Sequence, residues 1–145
     1  MPHVTVPQPP ASSPAMLLVL LGRRLRTRID ADLKRTGLSL RHLSALGHLN
    51  GRPGLSYSEL ARRAGVTVQS MQSTLAQLET LGAIERRTEP GRGRTAELHV
   101  TETGAELLSK AHETVRAADE TLLNAVNEDE RALTMLLLRA LKALE

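Results

Sequence analysis

Apolar residues recur at three- and four-residue steps over most of this chain, and clusters of Gly, Pro and small polar residues interrupt the pattern. From Ala15 to Arg35, Leu18, Leu21, Leu25, Ile29 and Leu33 form one stripe, with Arg23, Arg24, Arg26 and Asp30 mostly off it. That spacing predicts an amphipathic helix, with Gly37 as its C-terminal stop. Ser39 to Leu49 repeats the pattern through Leu40, Leu43, Leu46 and Leu49, and Asn50-Gly51-Arg52-Pro53-Gly54 ends it in a turn. Near the other end, Thr101 can cap a helix in which Leu108, Ala111, Val115, Ala118, Leu122 and Ala125 approximate a heptad seam. A last helix carries Leu133, Leu136, Leu137, Leu141 and Leu144, and Asn127 with Glu130 resembles its cap.

The middle of the chain is written in shorter units. Ser56 followed by Glu59 reads as a capping box, flanked by Leu55 and Leu60 as a hydrophobic staple. This short helix runs through Leu60, Ala61 and Ala64 and ends at Gly65. Thr67 then caps a second helix, with Val66 and Met71 as its staple, which continues through Leu75, Leu78 and Leu81 to Gly82. Two capped helices joined by a three-residue turn form the helix-turn-helix pattern. After Gly82 the period changes. Residues 84–88 and 96–100 read as two strands, with Ala96, Leu98 and Val100 on one face and Glu97 and His99 on the other. Between them lies a Gly/Pro/Arg loop, so the pair is a hairpin with a basic tip. The fold class is therefore mainly α with a small β-hairpin wing: a winged helix-turn-helix at about 55–100, plus long terminal helices.

Charge and composition narrow the choice of partner. The 145 residues carry a formal net charge of +3, which permits a polyanionic partner without requiring one. The distribution is more telling. Residues 1–55 hold eight Lys/Arg against two Asp/Glu, residues 56–100 hold six against five, and residues 101–145 hold five against nine. The acidic last third is a poor surface for phosphates. Tyr57 is the lone aromatic, so the stacking platforms of single-strand and RNA binders are missing. There is no cysteine, which removes disulfides and thiolate metal sites and fits a reducing cytoplasm. The apolar run Met16 to Leu21 is too short to span a bilayer, so a cytoplasmic chain with no membrane partner is expected. Residues 1–14 are Pro-rich and read as an extended mobile arm ahead of a single domain at 15–145.

These features favour double-stranded DNA. An α-helix fits the major groove, where each base pair presents a distinct pattern of donors and acceptors. The start of the second short helix offers Thr67, Val68, Gln69, Ser70, Gln72 and Ser73 as contacts, with Met71 and Leu75 turned inward. Amides and hydroxyls suit adenine edges and phosphates, and Val68 suits a thymine methyl. This helix contains no Lys or Arg, so its electrostatic attraction must come from elsewhere. Arg92 and Arg94 at the wing tip suit a narrow minor groove, Arg86 and Arg87 on the first strand can reach phosphates, and so can Arg62 and Arg63. Each arginine also has an ordinary reading as a surface charge, and Arg87 can pair with Glu89. The leucine-rich terminal helices expose more apolar surface than one subunit covers, so a second copy is the expected partner. No glycine-rich phosphate loop, metal-ligand cluster or nucleophile–base pair is legible, so no enzyme activity and no cofactor are expected. His42 and His48, six residues apart, point to different helix faces and do not make a metal site with His112. A winged-helix module for protein–protein contact remains the alternative.

Residues 54–104 resemble the DNA-binding core of the MarR family of transcription regulators. The matching blocks are Leu55-Ser56-Tyr57-Ser58-Glu59-Leu60-Ala61-Arg62-Arg63-Ala64-Gly65-Val66-Thr67, residues 78–87, and residues 93–104. Flanking helices at about 15–36 and 101–145 fall where the family's dimerisation helices lie. The family's wing Arg falls on Arg94, whereas its wing Asp falls on Arg92, and Ser73 stands where many members carry Arg. The resemblance implies a homodimeric repressor on a pseudopalindromic operator, with half-sites about 34 Å apart. It also implies release by a small anionic ligand, in a pocket drawing on the first, second and fifth helices.

Overall fold

Each helix is stopped or started by a backbone feature visible in the residues at its ends. The computed structural model describes residues 13–87 and 97–145. In chain order the described elements are α1 (Pro14–Lys34), α2 (Leu40–Gly51), α3 (Tyr57–Ala64), α4 (Val68–Thr80), β1 (Ile84–Arg86), β2 (Leu98–Val100), α5 (Glu102–Val126) and α6 (Glu130–Ala143). Helices α1, α3 and α4 all end in the same way. The amides of Leu38, Val66 and Ala83 bond back to the carbonyls of Leu33, Ala61 and Leu78 across a left-handed glycine. At Gly65 (φ 67°) this reversal turns the chain from α3 into α4, a backbone conformation that any side chain with a Cβ would strain.

Helix starts follow the expected chemistry with three differences. Ser56 caps α3 by accepting the Glu59 amide, which is one half of the expected capping box. The full reciprocal box lies on α2 instead. There Ser39 accepts the His42 amide while the His42 ring accepts the Ser39 amide. Asp30 of α1 also caps α2, accepting the Leu40 amide at 2.8 Å. The third difference concerns α6. Asn127 does not cap it; Asn127 takes a left-handed conformation (φ 51°) that ends α5, and Asp129 accepts the Ala132 amide. Asn is one of the few residues with a Cβ that tolerates that geometry, because its short side chain bonds locally.

Packing divides the described residues between two connected apolar clusters. The larger joins Leu46 and Leu49 of α2, Leu60 of α3, Met71, Leu75 and Leu78 of α4, Ile84, Leu98 and Leu108. The smaller holds Leu33, Leu38 and Ala111, and Leu43 and Leu107 touch both. The helix-turn-helix lobe and the terminal helices are thus fastened together where α2 crosses α5. The strands pair antiparallel, with Ile84 opposite Val100 and Arg86 opposite Leu98, and Leu98 is buried as the alternation predicts. The amide of Gly54 bonds to the Leu98 carbonyl (3.0 Å), so the turn after α2 lies along the hairpin.

Among the described residues, the first part of α1 and the whole of α6 are left open. Met16 through Leu21 are all between 38 and 55 % exposed, and α6 buries none of its residues. Of the predicted α1 stripe, only Leu33 is fully buried. No helix among the described residues is long and apolar enough to cross a membrane.

Candidate nucleic-acid interface

Helix α4 is presented to solvent by its own cap. Thr67 accepts the Ser70 amide at 3.1 Å, which satisfies one of the free donors of the first turn. Its hydroxyl therefore organises the helix start. Met71, Thr74, Leu75 and Leu78 anchor the inner face. Val68, Gln69, Gln72 and Ser73 lie on the outer face, all exposed, with Val68 at 42 %. Ser70 departs from the expectation. It is half-buried and lines a cleft with Met71 and Thr74, because it shares a flank of α4 with buried Thr74, four residues on, whose hydroxyl donates to its carbonyl.

The arginines divide into free and engaged groups. Arg62 and Arg63 project from the last turn of α3 and are exposed. There they complement the negative end of the helix dipole, and their heads remain available to phosphates. Arg86 is engaged. Its guanidinium donates to the Tyr57 hydroxyl and lies over that ring, 5.6 Å from the centroid. The contact fastens the first wing strand to the start of α3, a role for Tyr57 that no local sequence signal announces. Arg87 pairs with Glu85 at 3.0 Å, both groups more than half exposed, so the pair adds little stability. Glu89, its expected partner, lies outside the described residues, as do Arg92 and Arg94.

The base of the wing is rigidly joined to α5. Thr101 caps α5 by accepting the Gly104 amide, and its hydroxyl donates to the Gly82 carbonyl. The Thr101 amide bonds to the Ala83 carbonyl as well. Gly104 is packed so tightly here that a Cβ would stand 2.0 Å from the Ala83 oxygen. One short segment thereby fixes the end of α4, the start of the hairpin and the start of α5 relative to one another.

A cleft of about 280 Å³ opens between α1, α2, the turn after α3, and α4. Arg26 and Arg41 line it together with Ser44, Val66, Ser70 and Thr74. This cleft takes a wall from α4 and none from α5, whereas a second cleft, of about 200 Å³, lies between α1 and α5. His42 is buried and bonded on both sides of its ring, to Ser39 and to Gln77.

Comparison with known proteins agrees with this geometry. A family model described as MarR family matches residues 36–95. The HTH-type transcriptional repressor Rv2887 of Mycobacterium tuberculosis is 40 % identical over 107 residues, covering 74 % of this chain and 77 % of the relative. A crystal structure of that mycobacterial protein in complex with DNA superposes with a TM-score of 0.76 at 32 % identity, over 89 % of this chain and 98 % of the other. Its complex with salicylic acid gives a TM-score of 0.68 at 34 % identity, over 92 % and 97 %. With helix-turn-helix, hairpin and flanking helices all in place, the chain belongs to the MarR family of winged-helix, DNA-binding transcription regulators.

Proposed function

We propose that the chain is a homodimeric repressor that reads a pseudopalindromic DNA site with one α4 helix per half-site, and that a small anionic ligand releases it. The observation that carries this reading is the outer face of α4. Val68, Gln69, Gln72 and Ser73 are held outward by a capped, internally anchored helix beside a two-stranded hairpin. Arg62 and Arg63 supply phosphate contacts next to it, and Arg92 and Arg94 supply the wing's charge. Arg86 braces the hairpin through Tyr57, and its exposed guanidinium keeps further donors for phosphate.

The open apolar face supports the dimer. Six consecutive apolar residues on α1, together with an α6 that buries nothing, form a surface that a monomer leaves in water at a cost. Residues 13–145 then act as one domain, its start earlier than the expected boundary at residue 15, because Ser13 caps α1 and Pro14 opens it. The cleft supports the ligand. Arg26 and Arg41 offer two guanidinium groups, and Ser44 and Thr74 add hydroxyls to a largely apolar wall, which suits an aromatic carboxylate. The mycobacterial relative was solved with such a molecule. A DNA partner places the work in the cytoplasm.

Selection of bound fragments from genomic DNA tests the reading. Discrete sites with two half-sites about one helical turn apart are expected, and binding should fall steeply with salt. Arg92→Ala with Arg94→Ala should weaken every site about tenfold or more. Protection of no discrete site would leave the fold to a protein-interaction role.

A further inference from the structure

One polar contact, from a buried histidine to an exposed glutamine, joins α2 to α4, and neither the family likeness nor the groove-facing residues account for it. His42 Nε2 lies 2.6 Å from Gln77 Oε1. On the other side of the ring, His42 Nδ1 lies 3.0 Å from the Ser39 amide nitrogen and 3.2 Å from its hydroxyl. A backbone amide can only donate, so Nδ1 must present its lone pair, and the proton must sit on Nε2. The imidazole is thereby a neutral, two-ended strut. It accepts from the capping box of α2 and donates to the last full turn of α4.

We propose that His42 is a positioning residue for DNA binding, setting the rotation of the recognition helix α4 through Gln77. The apolar contacts between α2 and α4 hold the helices together but are non-directional, and they tolerate small rotations about the helix axis. A hydrogen bond weakens steeply when misaligned. Among the described residues no other side-chain hydrogen bond joins these two helices. Gln77 sits four residues after Ser73, so the two share one flank of α4 and a rotation that breaks the strut also displaces the groove-facing row. The far end of the strut is well founded, because Ser39 and Asp30 both tie the start of α2 to its surroundings.

The proposal rests on the DNA-binding reading above, and the test separates the two. Full-length wild type, His42→Gln, Gln77→Met and the double variant are compared on a selected duplex and on a scrambled duplex. His42→Gln keeps a side chain that can complete the capping box, and Gln77→Met keeps length while removing the acceptor. Each single variant should lose about fivefold to tenfold in affinity for the selected duplex, with little change on the scrambled one. The double variant should lose no more than either single, because the pair acts as one contact. In ¹⁵N imidazole spectra, Gln77→Met should retain the Nε2–H tautomer while that proton exchanges faster. Folded Gln77→Met with wild-type affinity and selectivity overturns the strut alone. A wild-type chain that does not distinguish the duplexes overturns the DNA reading and the strut with it.

Discussion

Gly104 shows how much one side chain can decide. Its neighbour across the wing base is a backbone oxygen, which cannot swing away as a flexible side chain would. Gly104→Ala should therefore destabilise the protein by about 3 kcal/mol, read from denaturant unfolding, since α5 or β1 must shift to admit the methyl group. Thr67 shows the opposite kind of residue, replaceable but only by its own chemistry. Thr67→Ala should cost about 1 kcal/mol through loss of the α4 cap, whereas Thr67→Ser should be close to neutral in the same measurement. A residue in the recognition-helix segment can thus matter to binding without touching a base.

At the scale of elements, the proposed DNA contacts divide specificity and charge between different pieces. The outer face of α4 holds amides, a hydroxyl and a valine, with no Lys or Arg anywhere in the helix. Gln72→Ala with Ser73→Ala should change which sequences are selected while leaving the salt dependence of binding nearly intact. Arg62→Ala with Arg63→Ala should do the reverse, weakening all duplexes and reducing the slope of log affinity against log salt by about four, two for each half-site of the proposed dimer. Unchanged slope in that variant would remove α3 from the phosphate surface. The hairpin is braced as well, because Arg86 donates to Tyr57 and lies over its ring.

For the whole molecule, the open apolar ends and the cleft set the remaining expectations. Leu17→Glu with Leu20→Glu places two charges in the exposed run of α1 and should shift sedimentation equilibrium toward a monomer. DNA affinity should fall with it, since two half-sites held together bind far more tightly than one. Salicylate should weaken DNA binding by the wild-type chain, and Arg26→Ala with Arg41→Ala should blunt that response without abolishing binding. A full response in this variant would move the ligand to a different part of the fold.

Much of this architecture is legible in the sequence. The stops at Gly37, Gly65 and Gly82, the caps at Ser56, Thr67 and Thr101, and the alternation at Leu98 are local matters, settled within a few residues of backbone geometry. The outward row on α4 followed from helical spacing, apart from Ser70, whose burial depends on α1 and α2 arriving beside it. Contacts between residues far apart in the chain were another matter. Arg86 with Tyr57, Asp30 with the start of α2, Gly104 against Ala83, and His42 with Gln77 each join separate elements. Local propensity chooses helix, strand and turn, but it does not encode which side chains meet once those elements pack. Only the tertiary structure could turn an apparently ordinary histidine into a strut and an apparently free arginine into a brace.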